Sequence, residues 1–144
     1  WRAASDRYAV LITGASRPEK LWPEPSWLAI AVMLREAGYG LVWLWGSTSE
    51  KARCERLAGA ADGEVPPFLT VADAAAVLAG ASLCVGLDTG FSHIAAAFGV
   101  PTVGIYCDHE PGLVGITGEG YVASVGGRGQ VPSVMAGWPQ YARM

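Results

Sequence analysis

Apolar residues fall in short unbroken runs, separated by stretches whose apolar positions recur at helical spacing. Tyr8-Ala9-Val10-Leu11-Ile12 is a run of strand length that stops at Thr13-Gly14. Leu41-Val42-Trp43-Leu44-Trp45 is a second, stopped by Gly46, and Ser82 to Leu87 is a third, ended by Asp88-Thr89-Gly90. Thr102 to Tyr106 predicts a fourth strand and Tyr121 to Val125 a shorter fifth. Between the first two runs, Ser26 is placed to cap a helix through Ala37, with Trp27, Ile30, Ala31 and Leu34 on one face and Gly38 just past its end. A second helix opens at Ser47 or Ser49 and runs to about Ala60, with Glu50, Arg53, Glu55 and Arg56 on its solvent side. Thr70 caps a third, Val71 to Leu78, which closes at Gly80, and Phe91 to Phe98 form a fourth that Gly99 ends.

Strands that are apolar throughout are buried on both faces, which is the signature of a parallel sheet covered by its crossover helices. The pattern therefore predicts an α/β domain, a Rossmann-like doubly wound parallel sheet over residues 1–125. Residues 126–144, broken by Pro132 and Pro139, read as a connection or a docking tail. In such sheets ligands sit outside the carboxyl ends of the strands, near a switch in strand order. The segments to examine are Thr13 to Pro25, Gly46 to Glu50, Asp88 to His93 and Cys107 to Gly118, where glycine and polar residues concentrate.

Composition narrows the classes. At 144 residues, 51% hydrophobic and 16% charged, the chain carries one domain with a real core and is too apolar for disorder. A net charge of -3 leaves no electrostatic footprint for nucleic acid, and with Lys20 and Lys51 the only lysines, each cation invites a reason. Cys54, Cys84 and Cys107 lie far apart with no CxxC spacing and read as reduced core thiols. The longest uncharged run, Thr89 to Cys107, is cut by Ser92, His93, Gly99 and Pro101 and does not suit a membrane span. The chain opens on Trp1 with no basic-then-apolar leader, and a piece of a longer protein is expected.

Candidate chemistry gathers at the predicted strand ends, and each feature has a plain structural reading beside a functional one. Asp88-Thr89-Gly90 runs from a strand into a helix, so the free N–H groups of Thr89, Gly90 and Phe91 suit a phosphate, or Asp88 simply caps the helix. Lys20, on a Pro-stiffened loop, is a phosphate point charge or a solvated surface lysine. Glu50 follows the second strand, where acidic groups accept from a ribose, and it equally suits the first turn of a helix. His93 is an anion donor or a packed histidine. Trp22 and Trp27 read as packing residues, and Asp108-His109-Glu110 lacks metal-ligand spacing. No GxSxG, GxxxxGK[ST] or GxGxxG stretch is present, and no complete catalytic constellation is evident.

The stretches KLWPEPSW, LWLWGSTSEKARCERLA, LAGASLCVGLDTGFSHIAAAFGVPTVGIY and EPGLVG together resemble the C-terminal half of bacterial lipopolysaccharide heptosyltransferases, with DTGFSH and PGLVG closer to heptosyltransferase I than II. The resemblance covers about Tyr8 to Gly118. It implies the donor-binding half of a GT-B glycosyltransferase that transfers heptose from ADP-heptose, with inversion, onto Kdo of the inner core. The acceptor, Kdo-lipid A, and the general base would belong to an N-terminal domain absent from this chain, so this half alone is expected to have no turnover. The work would be done at the cytoplasmic face of the inner membrane, with peripheral membrane contact by the full-length enzyme only, and without metal or cofactor. Carried over residue by residue, Thr89 and Gly90 resemble the diphosphate binders, Asp88 the ligand of heptose hydroxyls, and Lys20 and Ser16 the loop contacts to phosphate and sugar. Glu50 resembles the ribose ligand, Leu69 the residue flanking adenine, and His93 the histidine that closes the DTG turn. Two departures stand out. Cys107-Asp108-His109-Glu110 replaces the usual Gly-Pro-Thr-Asp, and the tail lacks a clear helix. Two rivals remain: another GT-B nucleotide-sugar transferase or 2-epimerase domain, and a non-catalytic Rossmann-like module.

Overall fold

The computed structural model describes residues 1–14, 21–87, 90–106 and 122–126, with Tyr106 and residues 122–126 described by their backbone alone. The predicted tail, the Asp108-His109-Glu110 cluster and Cys107 lie outside them. Along the chain the elements are β1 (Tyr8–Ile12), α1 (Glu24–Glu36), β2 (Gly40–Leu44), α2 (Thr48–Ala61), α3 (Val71–Ala79), β3 (Leu83–Leu87), α4 (Gly90–Ala97), β4 (Thr102–Tyr106) and β5 (Val122–Gly126). The five strands form one sheet in the order β2-β1-β3-β4-β5, with every pairing parallel.

The unbroken apolar runs are buried on both sides, as expected of strands covered by helices. Ala9 and Leu11 of β1 point into one layer, with Trp27, Ile30, Ala31 and Leu34 of α1 and Cys54 and Leu57 of α2. Tyr8, Val10 and Ile12 point into the other, with Val77 and Leu78 of α3 and Ala95 of α4. The sheet is thus doubly wound, and its order reverses between β1 and β3: β2 lies on one side of β1 and all later strands on the other. Ile12 pairs with both Leu44 and Gly86, so the carboxyl ends of β1, β2 and β3 open at one level.

Two expectations shift. Helix α1 starts at Glu24 rather than after a Ser26 cap, and its N-cap is Pro23, with no side-chain cap bond. Pro25 in the first turn is compatible with this start, because N–H groups there have no intrahelical partner to lose. For α2 the choice between two serines is resolved: Ser47 is the N-cap. Thr70 caps α3 as expected, its hydroxyl accepting from the Asp73 N–H at 3.2 Å.

Candidate functional site

Just beyond the carboxyl ends of β1 and β2 the chain turns on Gly14 and Gly46, and the Glu50 carboxylate lies between them. Glu50 is the third residue of α2, close enough to reach back over the turn. Its Oε1 accepts from the Gly46 N–H at 3.1 Å and its Oε2 from the Ser47 hydroxyl at 3.0 Å, while Ser47 Oγ accepts from the Glu50 N–H at 3.4 Å. This is a reciprocal cap of the helix N-terminus, displaced by one residue from the usual capping box. A Cβ on Gly14 would lie 2.3 Å from Glu50 Cδ, so only glycine lets the carboxylate rest against the end of β1. A Cβ on Gly46 would be 3.5 Å from Phe91 Cε2, which brings the first turn of α4 to the same place. A carboxylate has about four lone-pair positions, so two protein donors leave Glu50 able to accept from a ligand. The structural and functional readings of Glu50 are therefore compatible.

The α4 side is held by a buried serine. Ser92 Oγ donates to the carbonyl of Leu87 at 2.6 Å, which seats the first turn of α4 on the last residue of β3. That seat needs Gly86, since a Cβ there would be 2.3 Å from Ser92 Oγ. Gly90, the first residue of α4, is exposed, and a Cβ on it would meet nothing within 4 Å. His93 is half-buried one turn along. Leu69 is half-buried against the second apolar layer and belongs to the segment that crosses the end of β2. There Trp45 Nε1 donates to the Pro66 carbonyl at 2.7 Å and the Trp45 and Phe68 rings meet edge-on at 6.0 Å. Ser16, Lys20, Asp88 and Thr89 lie outside the described residues. Glu50, Leu69, Gly90 and His93 all lie on segments at or just past the carboxyl ends of β2 and β3.

A cavity of about 270 Å³ opens beside Glu50, lined by Gly14, Leu21, Ser47, Ser49, Arg53 and Arg56. The expectation that Arg53 faces solvent is corrected here. Arg53 is half-buried and lines this cavity, its Nη2 donates to the Trp22 carbonyl at 2.6 Å, and burial lowers its guanidinium below the ordinary arginine value. Charge type suggested an outward side chain, but a long arginine stem covers apolar surface readily. Arg56 is exposed as expected and pairs with Glu24 at 3.1 Å. Trp22 and Trp27 are fully buried and packed edge to face at 5.0 Å, in keeping with the packing reading. Sequence reasoning missed the seating role of Ser92, although it lies inside the DTGFSH stretch, and the need for glycine at 14 and 86. Among the described residues no three His, Cys, Asp or Glu side chains are grouped to hold a metal, and no helix is long and apolar enough to cross a membrane.

The chain matches known proteins over most of its length. Residues 2–137 match the family described as Glycosyltransferase family 9 (heptosyltransferase). The chain is 37% identical over 123 residues to lipopolysaccharide heptosyltransferase 1 of Salmonella typhimurium, covering 85% of this chain and 39% of that protein. Against the protein of the same name from Pseudomonas aeruginosa it is 40% identical over 116 residues, covering 80% of this chain and 33% of that one. The structure of the E. coli heptosyltransferase WaaC with ADP superposes with a TM-score of 0.82 at 34% identity, over 94% of this chain and 43% of that one. The chain thus spans between a third and somewhat over two fifths of the length of these relatives.

Proposed function

The chain belongs to glycosyltransferase family 9, the heptosyltransferases, and from that premise we propose that it is the ADP-heptose-binding half of a GT-B enzyme adding heptose to Kdo of the lipopolysaccharide inner core. Residues 1–125 hold the nucleotide sugar, and residues 126–144 lead back toward the rest of the protein. The observation that carries this reading is the likeness, at 34% identity and a TM-score of 0.82, to a heptosyltransferase solved with ADP. The Glu50 carboxylate beside the β1–β3 switch in strand order supports it, because that is where open parallel sheets take nucleotides.

In this reading Glu50 accepts from the ribose hydroxyls with the lone pairs its cap leaves free, and Leu69 flanks adenine. The N–H groups of Thr89 and Gly90, at the positive end of α4, take the diphosphate. Lys20 and Ser16 reach the phosphate–sugar junction, Asp88 holds heptose hydroxyls, and His93 closes the turn. Catalysis by this half consists of stabilising the departing ADP, whose charge grows as the sugar bond breaks. Helix N–H dipoles and a lysine supply that without a metal. The general base and the Kdo-lipid A site come from the remainder of the protein, which works at the cytoplasmic face of the inner membrane through peripheral contact. Since positioning both reactants supplies much of such a rate, residues 1–144 alone give no turnover.

Calorimetry of the full-length protein with ADP and UDP tests the assignment. ADP is expected to bind at least about tenfold more tightly than UDP, with Glu50→Ala losing about tenfold, or 1.4 kcal/mol. A preference for UDP overturns the heptosyl assignment in favour of another nucleotide-sugar enzyme. Product formed by residues 1–144 from ADP-heptose and Kdo-lipid overturns the division of labour.

A further inference from the structure

Arg53 stands apart from the other cations of α2. Lys51 pairs with Glu55 one turn away, at 3.8 Å, and Arg56 pairs with Glu24. Among the described residues Arg53 has no carboxylate within ion-pair distance, only the more distant charge of Glu24, and its Nε is buried without a partner. A half-buried guanidinium that gains no ion pair is costly and calls for a compensating contact. Its hydrogen bond crosses 31 residues to the Trp22 carbonyl. That carbonyl is a firm anchor, since the Trp22 indole is fully buried against Trp27.

The same helix therefore holds the chain on both sides of residues 15–20. On the near side the Glu50 carboxylate rests against Gly14, and on the far side Arg53 binds Trp22. Glu50 and Arg53 are three residues apart, on one face of α2, and both line the cavity together with Gly14 and Leu21.

We propose that Arg53 is a positioning residue of the donor site: by tying α2 to the Trp22 carbonyl it sets where the chain after β1 rejoins the domain, relative to Glu50. This rests on the donor-binding function proposed above, in which Glu50 takes the ribose and Ser16 and Lys20, between the two anchors in sequence, take the phosphate–sugar region. In this role Arg53 acts through the Trp22 carbonyl. Its loss displaces the phosphate contacts from the ribose contact and leaves the nucleoside contacts in place.

The test compares ADP with adenosine, the latter by competition, on the full-length protein and its Arg53→Met and Arg53→Lys variants. Arg53→Met is expected to weaken ADP about tenfold and adenosine by less than about twofold, as misplacement of one part of a site does. Arg53→Lys, which keeps a donor, recovers most of the ADP affinity. Lys20→Ala costs less in the Arg53→Met protein than in the parent, because the two act on one contact. Unchanged ADP affinity overturns the proposal, and so does an equal loss of ADP and adenosine, which marks general support of the domain. If Arg53→Met does not fold, Arg53→Gln takes its place: a lowered ratio of ADP to adenosine affinity supports positioning, and an unchanged ratio overturns it. A parent protein that binds no ADP overturns the donor-binding function itself, an outcome distinct from all of these.

Discussion

A methyl group on Gly14 would lie 2.3 Å from the Glu50 carboxyl carbon and one on Gly86 2.3 Å from the Ser92 hydroxyl, whereas one on Gly90 meets nothing within 4 Å. Gly86 is required by the chain's own packing, and Gly14 by the place the Glu50 carboxylate takes; at Gly90 the protein leaves space that the proposed diphosphate would use. Gly90 also belongs to helix α4, a backbone that alanine fits. Gly90→Ala should keep or raise stability, by under about 1 kcal/mol, since alanine restricts the unfolded chain. It should weaken ADP about tenfold through the methyl at the anion's approach. Thermal unfolding and calorimetry on one sample check both halves, and unchanged ADP affinity removes Gly90 from the site. At this scale the sequence was legible where a residue type carries its own chemistry. Glu50 stood out as an acid after a strand, and both readings of it, cap and ligand, fit one carboxylate. Gly14 and Gly46 were visible only as strand ends, because the crowding that requires Gly14 comes from a side chain 36 residues later. Arg53 was misplaced for the same reason, its partner being a backbone carbonyl that no side-chain pattern announces.

Elements were easier to read than their ends. Buried strands gave unbroken apolar runs, and helix stops fell at Gly38 and Gly99, which adopt positive φ of 96° and 77°. The start of α1 was harder, because Pro23, Glu24 and Pro25 suit a loop as well as a first turn until the packing of Trp27 fixes the choice. Helix α4 depends on a contact hidden in its motif. Ser92→Ala removes a buried donor to the Leu87 carbonyl, which should cost about 1–3 kcal/mol in urea unfolding. The first turn of α4 would also lose its seat on β3, so ADP affinity should fall further than that of adenosine. Equal affinities in the variant and parent would show that the seat is redundant.

At the scale of the whole molecule, among the described residues the two apolar layers each hold one buried thiol, Cys54 in the first and Cys84 in the second. Burial pushes Cys54 up to about 11 and Cys84 up to about 12, from an ordinary value of 9.0. A raised thiol pKa favours the protonated form, so this contribution to stability is whole below pH 9 and lost as pH rises through those values. At pH 8 neither thiol is a nucleophile in the native state. In a Cys107→Ser protein, a disulfide reagent should therefore leave both untouched and modify both at the same urea midpoint. Labelling of one before the other would show that the layers open separately. The central place of β1 has a further consequence, for the order in which the molecule is made. Ala9 meets Leu41 on one side and Leu83 on the other. While the chain is being synthesised, β1 and β2 can pair early, but the inner edge of β1 stays open until more than 40 further residues have emerged. An unpaired strand edge that apolar is an invitation to join another nascent chain. The strand at the switch in strand order is thus the one most exposed to misassembly on the ribosome, and the one whose protection depends on how fast β3 arrives.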